Sequence, residues 1–415
     1  MPRKRSMKPA LIIIAAVAAV ALIVTASVWA LTLRSTAPSG VPSGTPVSAL
    51  DPRLTANDLA GLGGIAWVDS TAATDAVRPL CLPAESDGLP PVQRSVASQI
   101  TSDTPENVVV NVVDTYADES AATAAYALRL AEAGTCPDTA AWITGANTVK
   151  NLADNADVVR LTVQDTRDLY HTLLVTRTGR TVSMFDATTI SKQISAADLA
   201  GVAAKPLNRV CQDSGTCPGV LEVAGSLPSA ATMPGWLVEA DLPRITRGAG
   251  RWGATDPVNK LAVVGSQCEA MDLDQVTGAQ SAGQRTILLV DDPDAPRGFG
   301  VDQTVYTFAA AADATKLAKK ITSNLTGCAN RVPTASVSQG PAVKASGVDG
   351  AKIAGSTFLV TQKTETETVL FRVAVLTVDQ RVVYLLANPT SSFDFTDDQW
   401  RRIGVRAGQR TSQSA

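Results

Sequence analysis

Six cysteines, a single histidine and a few tight clusters of acidic or basic residues are the parts of this 415-residue chain that could do chemistry. Cys81, Cys136, Cys211, Cys217, Cys268 and Cys328 could form disulfides, hold a metal or exchange thiols. Spacing argues against the last two roles. No CxxC pair occurs, and one histidine cannot complete a zinc set. Structural disulfides remain, with many connectivities open. His171 lies in DLYHTLLV, a strand-like run beside a turn. Catalysis there would need a positioned nucleophile and an orienting acid, and no GxSxG elbow exists. The residue reads instead as a surface or edge-strand histidine. Asp291, Asp292 and Asp294 in DDPDAPRGFG lack the alternation, glycine and late glutamate of a calcium loop, so they read as a solvated turn. Asp154 and Asp157 read the same way. Arg401, Arg402, Arg406 and Arg410 could meet an anionic polymer or lipid, but read as a solvated helix and a frayed tail. Trp67 and Trp252 read as core rather than ligand platforms. The sequence therefore offers no catalytic residue, no metal ligand, no cofactor and no Gly-rich phosphate loop.

Composition narrows the partners. A formal net charge of −3 favours neither nucleic acid nor an acidic polymer. Hydrophobic residues make up 45% and aromatics only 4%, so alanine and valine must carry the core.

The elements that position the cysteines come in two copies. The stretch from Tyr116 to Cys136 returns, changed, as Phe308 to Cys328: an aromatic, an Ala-rich segment, then a cysteine. Ala310, Ala314, Leu317, Ala318, Ile321 and Leu325 mark one apolar face of a helix. Ala122, Ala125, Tyr126 and Ala133 match them in the first copy, with Arg129 standing where Ile321 stands. Gly134 and Gly327 come at the helix ends. Before each helix lies a tryptophan and a cysteine, Trp67 and Cys81, then Trp252 and Cys268. Valine-rich strands lead into the helices, at 108–113 and at 286–290 and 303–307. After them come strands at 158–163 and 357–361, and hairpins at 173–182 and 368–387 turning at Thr178-Gly179-Arg180 and Asp379-Gln380-Arg381. Closing helices follow at 195–203 and 393–402, the second capped by Thr396; short opening helices read at 54–62 and 242–248. The duplication pairs Cys81 with Cys136 and Cys268 with Cys328, leaving Cys211 for Cys217. By loop entropy the two long loops would contribute about 4 kcal/mol each and the short one about 2.

Residues 9–33 carry no charge and follow Arg3, Lys4, Arg5 and Lys8. At about 1.5 Å per residue they exceed the roughly 30 Å hydrocarbon core of a bilayer, predicting a single transmembrane helix with the rest of the chain outside. A cleaved signal peptide is the rival reading, disfavoured by that length. The expected organisation is a cytoplasmic stub at 1–8, the transmembrane helix at 9–33, a Pro/Gly/Ser linker at 34–50, repeat 1 at 51–220, repeat 2 at 221–404 and a disordered tail at 405–415. The fold class read is α+β, a transmembrane helix followed by two tandem repeats, each an antiparallel sheet with packed helices.

The repeated order of tryptophan, cysteine, aromatic-led Ala-rich helix ending in cysteine, then hairpin resembles the PknH-like extracellular (sensor) domain family of actinobacteria. The resemblance implies an α+β domain with two disulfides and a cleft for a ligand, found behind transmembrane helices of kinases and in lipoproteins. This chain departs from the pattern. It has no kinase domain and no lipobox cysteine, two units instead of one, and no counterpart of Cys211 and Cys217 in the second. The expected function is a membrane-anchored, sensor-like protein that binds an extracytoplasmic ligand or envelope protein without catalysis. The alternatives are a structural scaffold of the envelope and, third, an extracytoplasmic enzyme.

Overall fold

β-Branched residues set the architecture. In the computed structural model, which describes residues 51–69, 77–136, 140–230, 233–262 and 265–414, they fall into two antiparallel sheets of eight strands each. The first runs β1 (Trp67–Asp69), β2 (Arg94–Ser102), β3 (Val108–Thr115), α1 (Glu119–Thr135), β4 (Ala141–Lys150), β5 (Asn155–Gln164), β6 (Asp168–Thr178), β7 (Thr181–Thr189), α2 (Ala196–Val210) and β8 (Glu222–Ser226). The second runs β9 (Arg251–Ala254), β10 (Ser281–Val290), β11 (Gly300–Thr307), α3 (Ala311–Thr326), β12 (Ala335–Gln339), β13 (Val343–Ser346), β14 (Lys352–Lys363), β15 (Thr368–Val378), β16 (Arg381–Ala387) and α4 (Asp397–Ser412).

The spatial orders are β1-β2-β3-β7-β6-β5-β4-β8 and β9-β10-β11-β16-β15-β14, with β12 and β13 both on the far side of β14. Superposed in sequence order, the two are one topology. The place of β4 is taken by the broken pair β12 and β13, and β8 is an addition at the edge of the first sheet.

Each sheet is buried on both faces, which explains the near-continuous apolar runs of the central strands. Leu174, Phe185 and Ala187 face α2, whereas their neighbours Leu173, Val175 and Met184 face α1. Likewise Ala374, Leu376, Val383 and Leu385 face α4, and Val373, Val375, Val382 and Tyr384 face α3. Alternation along a strand thus serves two cores, one on each side of the sheet. Three of the four described α-helices start at side-chain caps, α3 being the exception. Asp118 accepts from Ala121 N at 2.8 Å, Ser195 from Asp198 N at 3.0 Å, and Thr396 forms a capping box with Gln399.

Several expectations are corrected. The transmembrane-led α+β architecture gives way to a mainly antiparallel-sheet structure with four short α-helices among the described residues. None of these helices is long and apolar enough to cross a membrane, and the single-pass membrane placement is corrected on the same finding. The predicted segments 1–8, 9–33 and 34–50 lie outside the described residues. The opening helices at 54–62 and 242–248 are turns with short 3-10 pieces at Leu62–Gly64 and Glu239–Asp241. Gly61, Gly63 and Gly64, all with positive φ, break the first of them. The tail expected from 405 instead continues α4 to Ser412.

Candidate functional site

The cysteines bond as the duplication predicts: Cys81 to Cys136, Cys211 to Cys217 and Cys268 to Cys328. The two long-range bonds tie the ends of α1 and α3 to the segments between β1 and β2 and between β9 and β10. The loop after Cys81 is pinned further by Arg129. Its side chain is 1% exposed, donates to Pro83 O at 2.7 Å and pairs with Glu132 at 2.8 Å.

His171 is corrected from a surface or edge position. It sits on β6, an internal strand, and is buried. Its Nδ1 faces the Asp186 carboxylate at 3.0 Å and Thr188 Oγ1 at 3.1 Å, while Asp186 accepts from Leu80 N at 2.9 Å. The arrangement braces the Cys81 loop. Asp291 pairs with exposed Arg251 at 2.8 Å, and Asp294 N donates to Asp292 Oδ1 at 2.9 Å. Among the described residues no group of three or more His, Cys, Asp or Glu side chains is arranged to hold a metal. Asp154 and Asp157 are also not free in solvent. Asp154 accepts from Gly179 N at 2.7 Å and Thr216 N at 2.8 Å, locking the β6–β7 turn to the Cys211–Cys217 loop. Asp157 accepts from Thr148 Oγ1 at 2.6 Å and from Tyr126, whose hydroxyl burial and the neighbouring carboxylate push well above its usual range. Trp252 is core, stacked on Phe395, and partly buried Trp67 packs against the core; each indole donates to a nearby carbonyl.

The C-terminal arginines are the largest departure from the sequence reading. Arg402, Arg406 and Arg410 fall at i, i+4 and i+8, one face of α4. Arg402 stays exposed, but from Arg406 on that face is buried, with bonds to the Ile143 and Gly134 carbonyls of the first repeat. Arg410 is 1% exposed and forks onto Asp241 at 2.9 and 3.0 Å. It also donates to Gly134 O at 2.7 Å and Ser229 O at 2.6 Å, joining the end of α1 to the chain that links the repeats. Gly134 is required here, because a Cβ would collide with the Ser229 backbone. Arg406 Nε approaches the same Asp241 at 3.4 Å and its Nη1 donates to Gln409 at 3.1 Å. Burial chiefly lowers its pKa to about 10, with Asp241 opposing and Arg410 assisting, so it stays cationic at neutral pH.

Beside Arg406 the two repeats enclose a cavity of about 270 Å³. Its first wall is β4, where the pairing with β5 shifts register between Ile143 and Gly145. Such bulges re-aim side chains. Gly145 has no Cβ, and one there would collide with Arg160 Nη2, so the missing side chain is what lets Arg160 lie across β4. The Arg160 Nε is buried without a hydrogen-bond partner. The second wall is α4, which brings Arg401, Arg402 and Arg406. Arg402 lies 5.7 Å from the centroid of the Trp142 ring. Arg401 and Arg402 share one exposed carboxylate, Asp398, each at 2.7 Å. The lining thus holds four arginines against one aspartate, Asp241.

Sequence reasoning missed Trp142, Gly145, Arg160 and Asp241 as site residues. The one legible signal was the four-residue spacing of arginines on α4. Larger depressions, of about 500 Å³ beside α3 and about 860 Å³ by Asp349 and Ser412, are more open, and neither gathers a comparable single-sign charge.

Comparison with family models, curated proteins and solved structures finds no match to this chain.

Proposed function

We propose that this is a non-catalytic binding protein whose ligand sits in the cavity where the two repeats meet. The observation that carries the reading is the convergence of side chains from β4, β5 and α4 on one partly enclosed space, with charges left short of partners. The surroundings favour binding over turnover. His171 and Asp154, two titratable groups outside the cavity, are engaged in bracing. Three disulfides fit an oxidising compartment outside the cytoplasm. The sensor-domain resemblance, which implies a ligand cleft, agrees with a receptor role.

A thermal-shift screen of the full chain against sugars, peptides and small anions tests the reading. A true ligand at a hundred times its dissociation constant should add about 2.7 kcal/mol of stability. The gain should vanish in Ser226→Trp, which fills the cavity from the edge strand β8. Stabilisation that persists in that variant would place the site elsewhere.

A further inference from the structure

We propose that the inter-repeat cavity takes a phosphate monoester of a small ring compound, with Arg160 and Arg406 on the phosphate oxygens and Trp142 against the ring. This inference rests on the reading that the cavity is a ligand site.

The cavity is short of counter-ions. Arg406 and Arg410 share a single carboxylate, Asp241. Arg401 and Arg402 share a single carboxylate, Asp398. Arg160 belongs to neither pair, and its buried Nε has no acceptor. Each shared carboxylate neutralises one guanidinium and leaves one over, and Arg160 adds its own charge. A desolvated cation without its own counter-ion is costly. Arg406, nearly wholly buried, stands in that position, and an anion in the cavity would complete it. Donors are also in surplus. Arg406 spends three contacts on Asp241, Gln409 and the Ile143 carbonyl, the last a long one at 3.5 Å. A guanidinium carries five N–H groups, so about two remain for a ligand.

Charge arriving from several directions selects among anions. A carboxylate presents two oxygens in one plane and suits one guanidinium fork. Arg160 approaches from β5, and Arg402 and Arg406 from α4, across the cavity. A phosphate monoester offers three acceptor oxygens and a charge of about −1.5 to −2 at neutral pH. A sulfate ester has the same shape with less charge. The ring component follows from Trp142, a partly exposed aromatic beside the cations. The volume, just below the roughly 300–1,000 Å³ of common ligand pockets, limits the ring compound to a small one.

Calorimetric titration of the full chain at low salt tests this with phenyl phosphate, phenyl sulfate, inorganic phosphate and the neutral phenyl glucoside. Phenyl phosphate should bind most tightly and phenyl glucoside not at all. Affinity should rise as pH passes upward through about 6, where the phosphate gains its second charge, and fall with added salt. Arg160→Met should weaken phenyl phosphate by at least about tenfold, as expected for loss of a charge-assisted contact. Gly145→Ala, which displaces Arg160 without removing it, should weaken it as well. Inorganic phosphate binding as tightly as phenyl phosphate would overturn the ester and its ring, and sulfate equal to phosphate would overturn the dianion. If phenyl glucoside binds, is lost in Ser226→Trp and ignores Arg160→Met, the phosphate assignment falls while the cavity reading stands. If no compound shows binding that Ser226→Trp removes, both fall.

Discussion

The two repeats share one strand order, yet their closing helices do opposite things. In the first, α2 turns its cations inward on its own repeat: Arg209 pairs with Asp58 at 3.0 Å and donates to the Arg53 carbonyl at 2.7 Å, and Lys205 reaches the Asp58 carbonyl at 2.6 Å. In the second, α4 holds its own core with Trp400 and Ile403 but sends Arg406 and Arg410 to the Ile143 and Gly134 carbonyls of the other repeat. The strand that faces this helix differs too. β4 is one bulged strand of ten residues, whereas its counterpart is broken into β12 and β13. Duplication gives two copies of a stable frame; the cavity arises where the copies have diverged. Aromatic content follows the same division. Trp252, Phe299, Phe393, Phe395 and Trp400 form a connected cluster in repeat 2, where repeat 1 packs mainly aliphatic side chains around Phe185.

The sharpest break in this comparison is Asp241→Asn. It leaves Arg406 and Arg410 buried without their carboxylate, and removing one member of such a group costs about 3–5 kcal/mol. Chemical denaturation should show that loss. A change below about 1 kcal/mol would mean that α4 is held by other contacts, such as Arg410 with the Gly134 carbonyl at 2.7 Å.

The disulfides come next, and here the repeats should behave alike. Cys81–Cys136 and Cys268–Cys328 span 55 and 60 residues, so replacing either pair by serine should cost about 4 kcal/mol. The Cys211–Cys217 pair, six residues apart and without a counterpart in repeat 2, should cost about 2 kcal/mol. Unfolding of the three double variants measures the order. A short-loop loss equal to the long ones would contradict it.

Arg129→Ile converts a repeat 1 position to the residue of repeat 2. The variant loses the donation to Pro83 O and leaves Glu132, a partly buried carboxylate, without Arg129, but it also removes a buried charge, so the net cost should be about 1–2 kcal/mol. A loss above about 3 kcal/mol would show that the two helices are not interchangeable there.

These contrasts explain what the sequence could reveal. The hairpins β6–β7 and β15–β16 were legible because aliphatic and β-branched residues flank a short turn in each, although β6 and β7 also bury Thr, Ser and Asp side chains. The helices and cysteine pairs were legible because the order occurs twice. β2, with RSVASQITS, and β4, with AWITGANTVK, mix small and polar residues and carry no clear period, so only pairing with their neighbours makes them strands. The cavity was illegible for a different reason. Trp142, Arg160, Asp241 and Arg406 come from four separate segments. The regular arginine spacing on α4 reports a face, but whether that face meets water or another repeat depends on packing more than two hundred residues away, as with Arg410 and Gly134.

The smallest effect predicted concerns acid, and it again separates the repeats. Three carboxyls of repeat 1 are held below the usual aspartate range. For Asp51 the leading cause is the hydrogen bond from Arg53. For Asp58 and Asp154 burial opposes ionisation, but donors outweigh it, Arg209 and Thr55 for the first, Thr216 and Gly179 for the second. In repeat 2 Asp398 is lowered, by Arg401 and Arg402, at a nearly exposed site where screening leaves little effect on stability. A carboxyl with a depressed folded pKa binds its proton more readily in the unfolded chain. Its contribution is therefore present above the unfolded value of about 4 and is lost as pH falls below that, through the folded value. Repeat 1 should accordingly loosen first on acidification, beginning where Asp154 ties the β6–β7 turn to the Cys211–Cys217 loop. Hydrogen exchange measured from pH 5 down to about pH 3, corrected for the intrinsic rate, should show protection lost at Gly179 and Thr216 before the β15–β16 turn at Asp379. Asp154→Asn should lower protection at the first turn and remove most of its pH dependence. Equal loss at both turns would mean that the acid response belongs to the whole unit, and that the asymmetry of the repeats is confined to the α4 interface.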